Sequence, residues 1–177
     1  ICNINIYENY ANKLKERYES YDYSIFYKYK KTYNFIYNKL YNYEKNKIGN
    51  VSVIHGDPVM TNILINIYNK IKFIDMRGKQ GKECTIFGDW LYDWAKLYQS
   101  LIGYDEILLD KQVNDSYKIV MIDFFKKYIV ENYSIEDFQN IKLITKSLLF
   151  TLIPLHNNIK CKEYYNLIFC KYLKDDY

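Results

Sequence analysis

Arginine is almost missing from these 177 residues: Arg17 and Arg77 are the only two, and every other basic side chain is a lysine. Arginine supplies the commonest bidentate contact to a base edge, and the formal net charge of +4 is dispersed among interleaved acids. No nucleic-acid footprint is expected from such a chain. Cysteine is also sparse. Cys2, Cys84, Cys161 and Cys170 form no C-x-x-C pair, so neither a disulfide framework nor a zinc site is indicated, and a reducing, cytoplasmic setting is expected. No apolar run approaches the ~20 residues needed to span a bilayer, and no signal-peptide pattern is present. Glycine does not occur before Gly49, so that region holds no Gly-rich loop able to close over phosphates. His156, one of two histidines, lacks a sequence-local partner for a catalytic role.

Tyrosine is the abundant residue, at 22 copies, beside much Asn, Ile and Lys. An A/T-rich coding sequence accounts for that bias. The tyrosines are expected as packed rings whose hydroxyls stay wet. Apolar content is 49 %, and the length supports one domain over residues 1–177 with a real core.

Most of the chain reads as helix. Ile6, Tyr10, Leu14 and Tyr18 recur at helical spacing and predict a helix over Ile4–Ser20. Asp22 or Ser24 is expected to cap a second helix reaching about Asn46, with an apolar face of Phe26, Tyr29 or Tyr33, Ile36, Tyr37, Leu40 and Tyr41. Lys79–Phe87 is expected as a loop. A strong helix follows to about Gly103, with Asp89 as N-cap and Gly103 as stop. Leu91, Trp94, Ala95, Tyr98, Leu101 and Ile102 form its buried side, and Asp93 falls among them, where an acid is costly unless it is hydrogen-bonded. Asp105 and Glu106 are read as solvated charges, with contact to a cationic or hydroxylated acceptor as the other reading. Further helices are expected over Val113–Asn132, over Ile135–Leu152 behind a Ser134/Asp137 capping box, and over Lys160–Leu173. Pro154 ends the second of these, and the tail from Lys174 to Tyr177 is expected to fray.

The stretch from Val51 to Gly78, VSVIHGDPVMTNILINIYNKIKFIDMRG, organises the rest. Two β-branched runs, Ile63–Asn66 and Ile71–Ile74, flank a polar turn and predict a β-hairpin. A third run, Val51–Ile54, feeds a loop carrying His55, Asp57 and Asn62, and the hairpin ends on Asp75. Two acids and an amide at strand ends suit phosphoryl transfer: a carboxylate orients an acceptor hydroxyl and takes its proton, and hard oxygen ligands hold Mg²⁺ on nucleotide phosphates. The order H-x-D-x-x-x-x-N followed by a hairpin aspartate is the kinase catalytic-loop arrangement.

HGDPVMTNIL with the following FIDMRG resembles the aminoglycoside phosphotransferase / choline kinase family, a branch of the protein-kinase-like fold. GDWLYDWAKL, Gly88–Leu97, is similar to that family's helix after the metal aspartate. The resemblance implies an α+β fold: a mostly helical C-terminal lobe with a small β-hairpin bearing the catalytic and metal loops. It implies Asp57 as catalytic base, Asn62 and Asp75 as Mg²⁺ ligands, His55 as a structural residue, and Asp93 as a buried anchor of the loop. ATP and Mg²⁺ would be the cofactors, and a sugar, polyol, choline-like alcohol or aminoglycoside the acceptor. The IDMRG and GDWLYDWAKL segments resemble members linked to capsule or surface-polysaccharide synthesis, which favours a sugar or polyol. Met76-Arg77 stands where protein kinases carry Phe-Gly, which points to the small-molecule branch. Arg77 is read either as a ligand for an anionic group of acceptor or nucleotide, or as an ion-pair partner of Asp89 or Asp93. Nothing before Val51 looks like the N-terminal lobe such an enzyme needs, so that lobe is expected upstream and the chain is expected to be part of a longer enzyme. The alternative is a kinase-like lobe without catalysis that serves as a binding or interaction module.

Overall fold

A computed structural model describes residues 4–112, 115–156 and 158–174. Cys2, Val113 at the expected start of one helix, Asn157 of the expected loop, and the tail from Asp175 to Tyr177 lie outside the described residues. The fold is α+β and mostly helical, with three small two-stranded antiparallel sheets. No helix among the described residues is long and apolar enough to cross a membrane.

Helix α6, Ile135–Leu152, runs through the middle. It is buried on nearly all sides from Ile141 to Thr151, the pattern of a helix enclosed by neighbours rather than laid on a surface. Around it pack α1 (Ala11–Ser20), α2 (Tyr29–Lys45), α3 (Trp90–Leu101), α5 (Asp115–Asn132) and α7 (Asn158–Leu167), and the α3–α6 contact is the largest. Ser134 caps α6 as expected: its hydroxyl accepts from the Asp137 amide at 2.9 Å and donates to the Asp137 carboxylate at 2.7 Å. Beyond α6, Pro154 sits in a 3-10 turn at Ile153–Leu155.

Helix boundaries differ from expectation where a short polar side chain competes for the backbone. The first helix begins at Ala11, not Ile4, because the Asn5 side chain accepts from the Tyr7 amide at 3.1 Å and folds Ile4–Tyr10 into turns. The second begins at Tyr29. Asp22 does not cap it but accepts from the Ser24 amide at 2.8 Å, and Lys28 adopts a left-handed conformation. Its buried face is Thr32, Ile36, Leu40 and Tyr43, whereas Tyr41 is exposed. The last helix stops at Leu167, and Lys171–Leu173 forms a separate 3-10 turn.

The expected hairpin forms: β2 (Ile63–Ile65) pairs with β3 (Ile71–Phe73), Leu64 opposite Lys72. Strand β1 (Val51–Val53) pairs with β6 (Phe87–Asp89), a strand that sequence periodicity did not reveal because only three residues take part. Lys79–Phe87 is more ordered than a loop. Its β4 (Lys79–Gln80) and β5 (Glu83–Cys84) form a second tight hairpin. Buried Gln80 ties that hairpin to the N-terminal turns: Asn9 Nδ2 donates to Gln80 Oε1 at 2.7 Å, and Gln80 Nε2 donates to the Ile6 carbonyl at 3.0 Å.

The tyrosines fill the core more completely than expected. Tyr10, Tyr23, Tyr43, Tyr92, Tyr98 and Tyr164 are among the largest fully buried side chains. Most of these hydroxyls are not wet. Tyr23 donates to the Phe150 carbonyl, Tyr98 to the Tyr172 carbonyl, and Tyr10 and Tyr43 both to Asp89. Burial raises the Tyr10 and Tyr43 phenols well above the ordinary value, and the Asp89 charge adds to it. Ring stacking supplies the rest, with Tyr18 on Tyr33 at 3.8 Å and Tyr23 on Phe150 at 4.4 Å between centroids.

Candidate active site

The loop from His55 to Asn62 leaves β1 at a position fixed by its sheet partner, since the Ile54 amide donates to the Ile86 carbonyl at 2.9 Å. Asp93, on the first turns of α3, then takes the loop's opening. The His55 amide donates to one carboxylate oxygen at 2.7 Å and the Gly56 amide to the other at 2.8 Å. Burial pushes the Asp93 carboxyl up, and these two hydrogen bonds pull it back down. Gly56 is required here. Its φ is +82°, and a Cβ would lie 2.8 Å from the Arg77 Cβ.

The far end of the loop is held by residues that sequence reasoning missed. Ser100 on α3 accepts from the Met60 amide at 3.1 Å, and Asp105 accepts from the Thr61 hydroxyl at 3.4 Å. Asp105, at the start of α4 (Tyr104–Leu108), is 8 % exposed, so it is not a solvated charge. Glu106 is not a solvated charge either: it pairs with Lys118 at 3.1 Å and accepts from the Tyr117 hydroxyl at 2.9 Å.

Between these clamps lie Asp57 and Asn62. Asn62 Nδ2 donates to the Asp57 carbonyl at 2.9 Å, which leaves the amide oxygen available. The His55 Nδ1 accepts from the Asp57 amide at 3.3 Å, and its ring lies against Phe73 of β3. The segment after β3 is bonded to both ends of the loop: the Ile74 amide donates to the Asn62 carbonyl at 3.0 Å, and the Arg77 amide to the His55 carbonyl at 2.9 Å. Asp75 sits in the chain between those two attachments. Its φ is +57°, a left-handed conformation uncommon outside glycine. Its carboxylate is exposed and makes no hydrogen bond or ion pair within the described residues.

The Asp57 carboxylate is half-exposed and forms an ion pair with Lys96 of α3 at 3.0 Å. Burial disfavours the Lys96 charge, but Tyr92 and Asp57 outweigh it and hold the ammonium above the ordinary lysine value. Arg77 pairs with neither Asp89 nor Asp93. Its Nη1 donates to the buried Tyr92 hydroxyl at 2.9 Å. Asp89, instead, is enclosed by Tyr10 and Tyr43, each donating at 2.7 Å, and it accepts from the Leu91 amide as the N-cap of α3. Asp93, Lys96 and Ser100 follow one another at steps of three and four residues, so one face of α3 meets the loop at His55–Gly56, Asp57 and Met60.

Asn62 and Asp75 offer hard oxygen donors of the kind that a divalent cation shared with phosphates takes. One amide oxygen and one unpartnered carboxylate are what a hard ion that takes most of its shell from a nucleotide and water needs. Among the described residues no three His, Cys, Asp or Glu side chains are grouped to hold a metal by themselves. An apolar groove of about 430 Å³ lies beside the site between hairpin and α3, lined by Pro58, Ile63, Phe73, Met76, Trp94 and Leu97. Val51, Val53, Leu64, Ile65 and Ile71 are all exposed. No protein-family model, curated protein or solved structure matches the chain.

Proposed function

We propose that the chain is the phosphotransferase lobe of an ATP-dependent small-molecule kinase that phosphorylates a hydroxyl. The observation that carries this reading is the double attachment of the Asp75 segment to the loop at Asn62 and His55. It brings the segment that carries Asp75 to the loop that carries Asp57 and Asn62. Asp57 orients the acceptor hydroxyl and receives its proton. Asn62 and Asp75 would hold a Mg²⁺ that neutralises phosphate charge when nucleotide is bound. Asp93, Ser100 and Asp105 keep the loop in place, so the site is organised before substrate arrives. The exposed apolar strands are where an N-terminal lobe and the nucleotide base would rest, and their burial is needed to complete the site. The left-handed backbone of Asp75 supports the same reading, since strained residues gather where their placement is used.

Titration of Mg·ATP into the full-length protein tests it. Binding should require the metal and should disappear in Asp75→Ala. Nucleotide binding that persists without Mg²⁺, or that is indifferent to Asp75→Ala, overturns the assignment. The same exposed strands favour a second reading, a kinase-like lobe without catalysis that pairs with a protein partner. Under that reading Mg·ATP does not bind at all.

A further inference from the structure

Around the buried Tyr92 hydroxyl, the protein gathers more positive charge than its one neighbouring carboxylate, Asp57, balances. Arg77, in the segment after β3, donates to the Tyr92 hydroxyl at 2.9 Å, and the charge of Lys96 on α3 also acts on it. Lys13 of α1 is close enough to Tyr92, Arg77 and Lys96 for each charge to act on it, and Arg17, one turn further along α1, lies on the same face. Only Lys96 has a carboxylate partner, Asp57. Lys13, Arg17 and Arg77 form no ion pair within the described residues, and all three are partly buried. The two arginines of the chain thus both belong to this wall.

Partly buried cations crowded together cost free energy unless an anion joins them. The crowding acts on the groups within it. Burial and the neighbouring Arg77 and Lys96 charges lower the Lys13 ammonium. Burial works to raise the Tyr92 phenol, yet Lys96, Lys13 and Arg77 together bring it below the ordinary tyrosine value.

We infer that this wall binds an oxyanion carried by the acceptor, so that the alcohol phosphorylated here bears a phosphate or carboxylate of its own. The inference rests on the kinase reading above and narrows its acceptor class away from cationic alcohols such as choline and aminoglycosides. The anion pairs with Lys13 and Arg77, with Arg17 at the rim, and that pairing turns the hydroxyl toward Asp57. In the transfer, the hydroxyl oxygen forms a bond to the γ-phosphorus of ATP, the bond from that phosphorus to the β–γ bridging oxygen breaks, the hydroxyl proton passes to Asp57, and ADP leaves.

Calorimetry on the full-length protein separates the outcomes, with glycerol 3-phosphate, glycerate, glycerol and choline as probes and saturating Mg·ATP analogue present or absent. The two anions should bind, glycerol and choline should not, and saturating nucleotide should leave anion binding in place. Lys13→Gln and Arg17→Gln should each weaken anion binding about tenfold, the loss of one charge-assisted contact, while Mg·ATP affinity stays unchanged. Equal binding of glycerol and glycerol 3-phosphate, or no response to either substitution, overturns the inference even if Mg·ATP binds. Anion binding abolished by saturating nucleotide also overturns it, because the wall then serves the nucleotide's own phosphates. Loss of Mg·ATP binding with anion binding intact overturns the kinase reading and leaves only an oxyanion site.

Discussion

Asp57→Ala should bind Mg·ATP as tightly as the parent protein and turn it over about 10²–10⁴-fold more slowly, the range that a positioned general base supplies. The separation of the two effects follows from the geometry. Asn62 donates to the Asp57 backbone carbonyl, not to its carboxylate, so removing the side chain leaves the proposed metal ligand oriented. The loop is held by Asp93 and Ser100 through backbone amides of other residues, so its course does not depend on the Asp57 side chain either. Lys96 does depend on it and is left with an unbalanced charge. Asp57→Asn keeps the shape while removing the base and serves as the control for that imbalance. Nucleotide consumption in the presence of anionic alcohols is the measurement. Turnover equal to that of the parent in both variants overturns the assignment of Asp57 as base, whatever the nucleotide affinity.

Asp89→Ala should cost the largest amount of stability of any single polar substitution, about 3 kcal/mol or more, because it strands buried donors that have no other acceptor. Asp89 is 1 % exposed and receives hydrogen bonds from Tyr10, Tyr43 and the Leu91 amide. Those tyrosines come from the N-terminal turns and α2, so the carboxylate joins three separate parts of the chain at the N-terminus of α3. Asp89→Asn should lose less, since the tyrosine hydroxyls can rotate and the amide retains one acceptor. The pH dependence carries a further check. Burial raises the Asp89 carboxyl above the ordinary range, and its hydrogen bonds only partly oppose that. The folded state therefore takes up this proton more readily than the unfolded chain. Its contribution is fully present below the unfolded value of about 4 and is lost as pH rises through the higher folded value. Urea unfolding from acid to neutral pH should show that decline in the parent and a shallower one in Asp89→Asn. Equal slopes, or a midpoint unmoved in Asp89→Ala, contradict the role given to Asp89.

Local pattern made some of this visible in advance. The hairpin was legible because two β-branched runs and a polar turn leave few alternatives for Ile63–Phe73. Asp93 was legible because an acid on an apolar helix face must find donors, and the loop amides are those donors. The partners of Asp89, Arg77 and Lys96 were not legible. Tyr10 and Tyr43 lie 79 and 46 residues from Asp89, and nothing in their local sequence distinguishes them from the other tyrosines. Lys96 reads as one more surface lysine until the fold sets it against Asp57. Asp105 misled for the converse reason: its neighbours are polar, but the Met60–Thr61 turn folds over it. The early start given to α1 failed at Asn5, where a side chain two residues from its target outcompeted the helical ladder.

Helix α3 acts as a ruler. Its four contacts to the loop and its surroundings depend on the pitch of the helix as much as on the identities of Asp89, Asp93, Lys96 and Ser100. One residue inserted after Asp93 leaves a helix of the same composition but turns everything beyond it by about 100°. Lys96 would then face away from Asp57 and Ser100 away from Met60, with no side chain of the site altered. The spacing along this helix is therefore under tighter constraint than most of the residues that occupy it, and length variation in relatives of this chain should collect in the turns and avoid Trp90–Leu101.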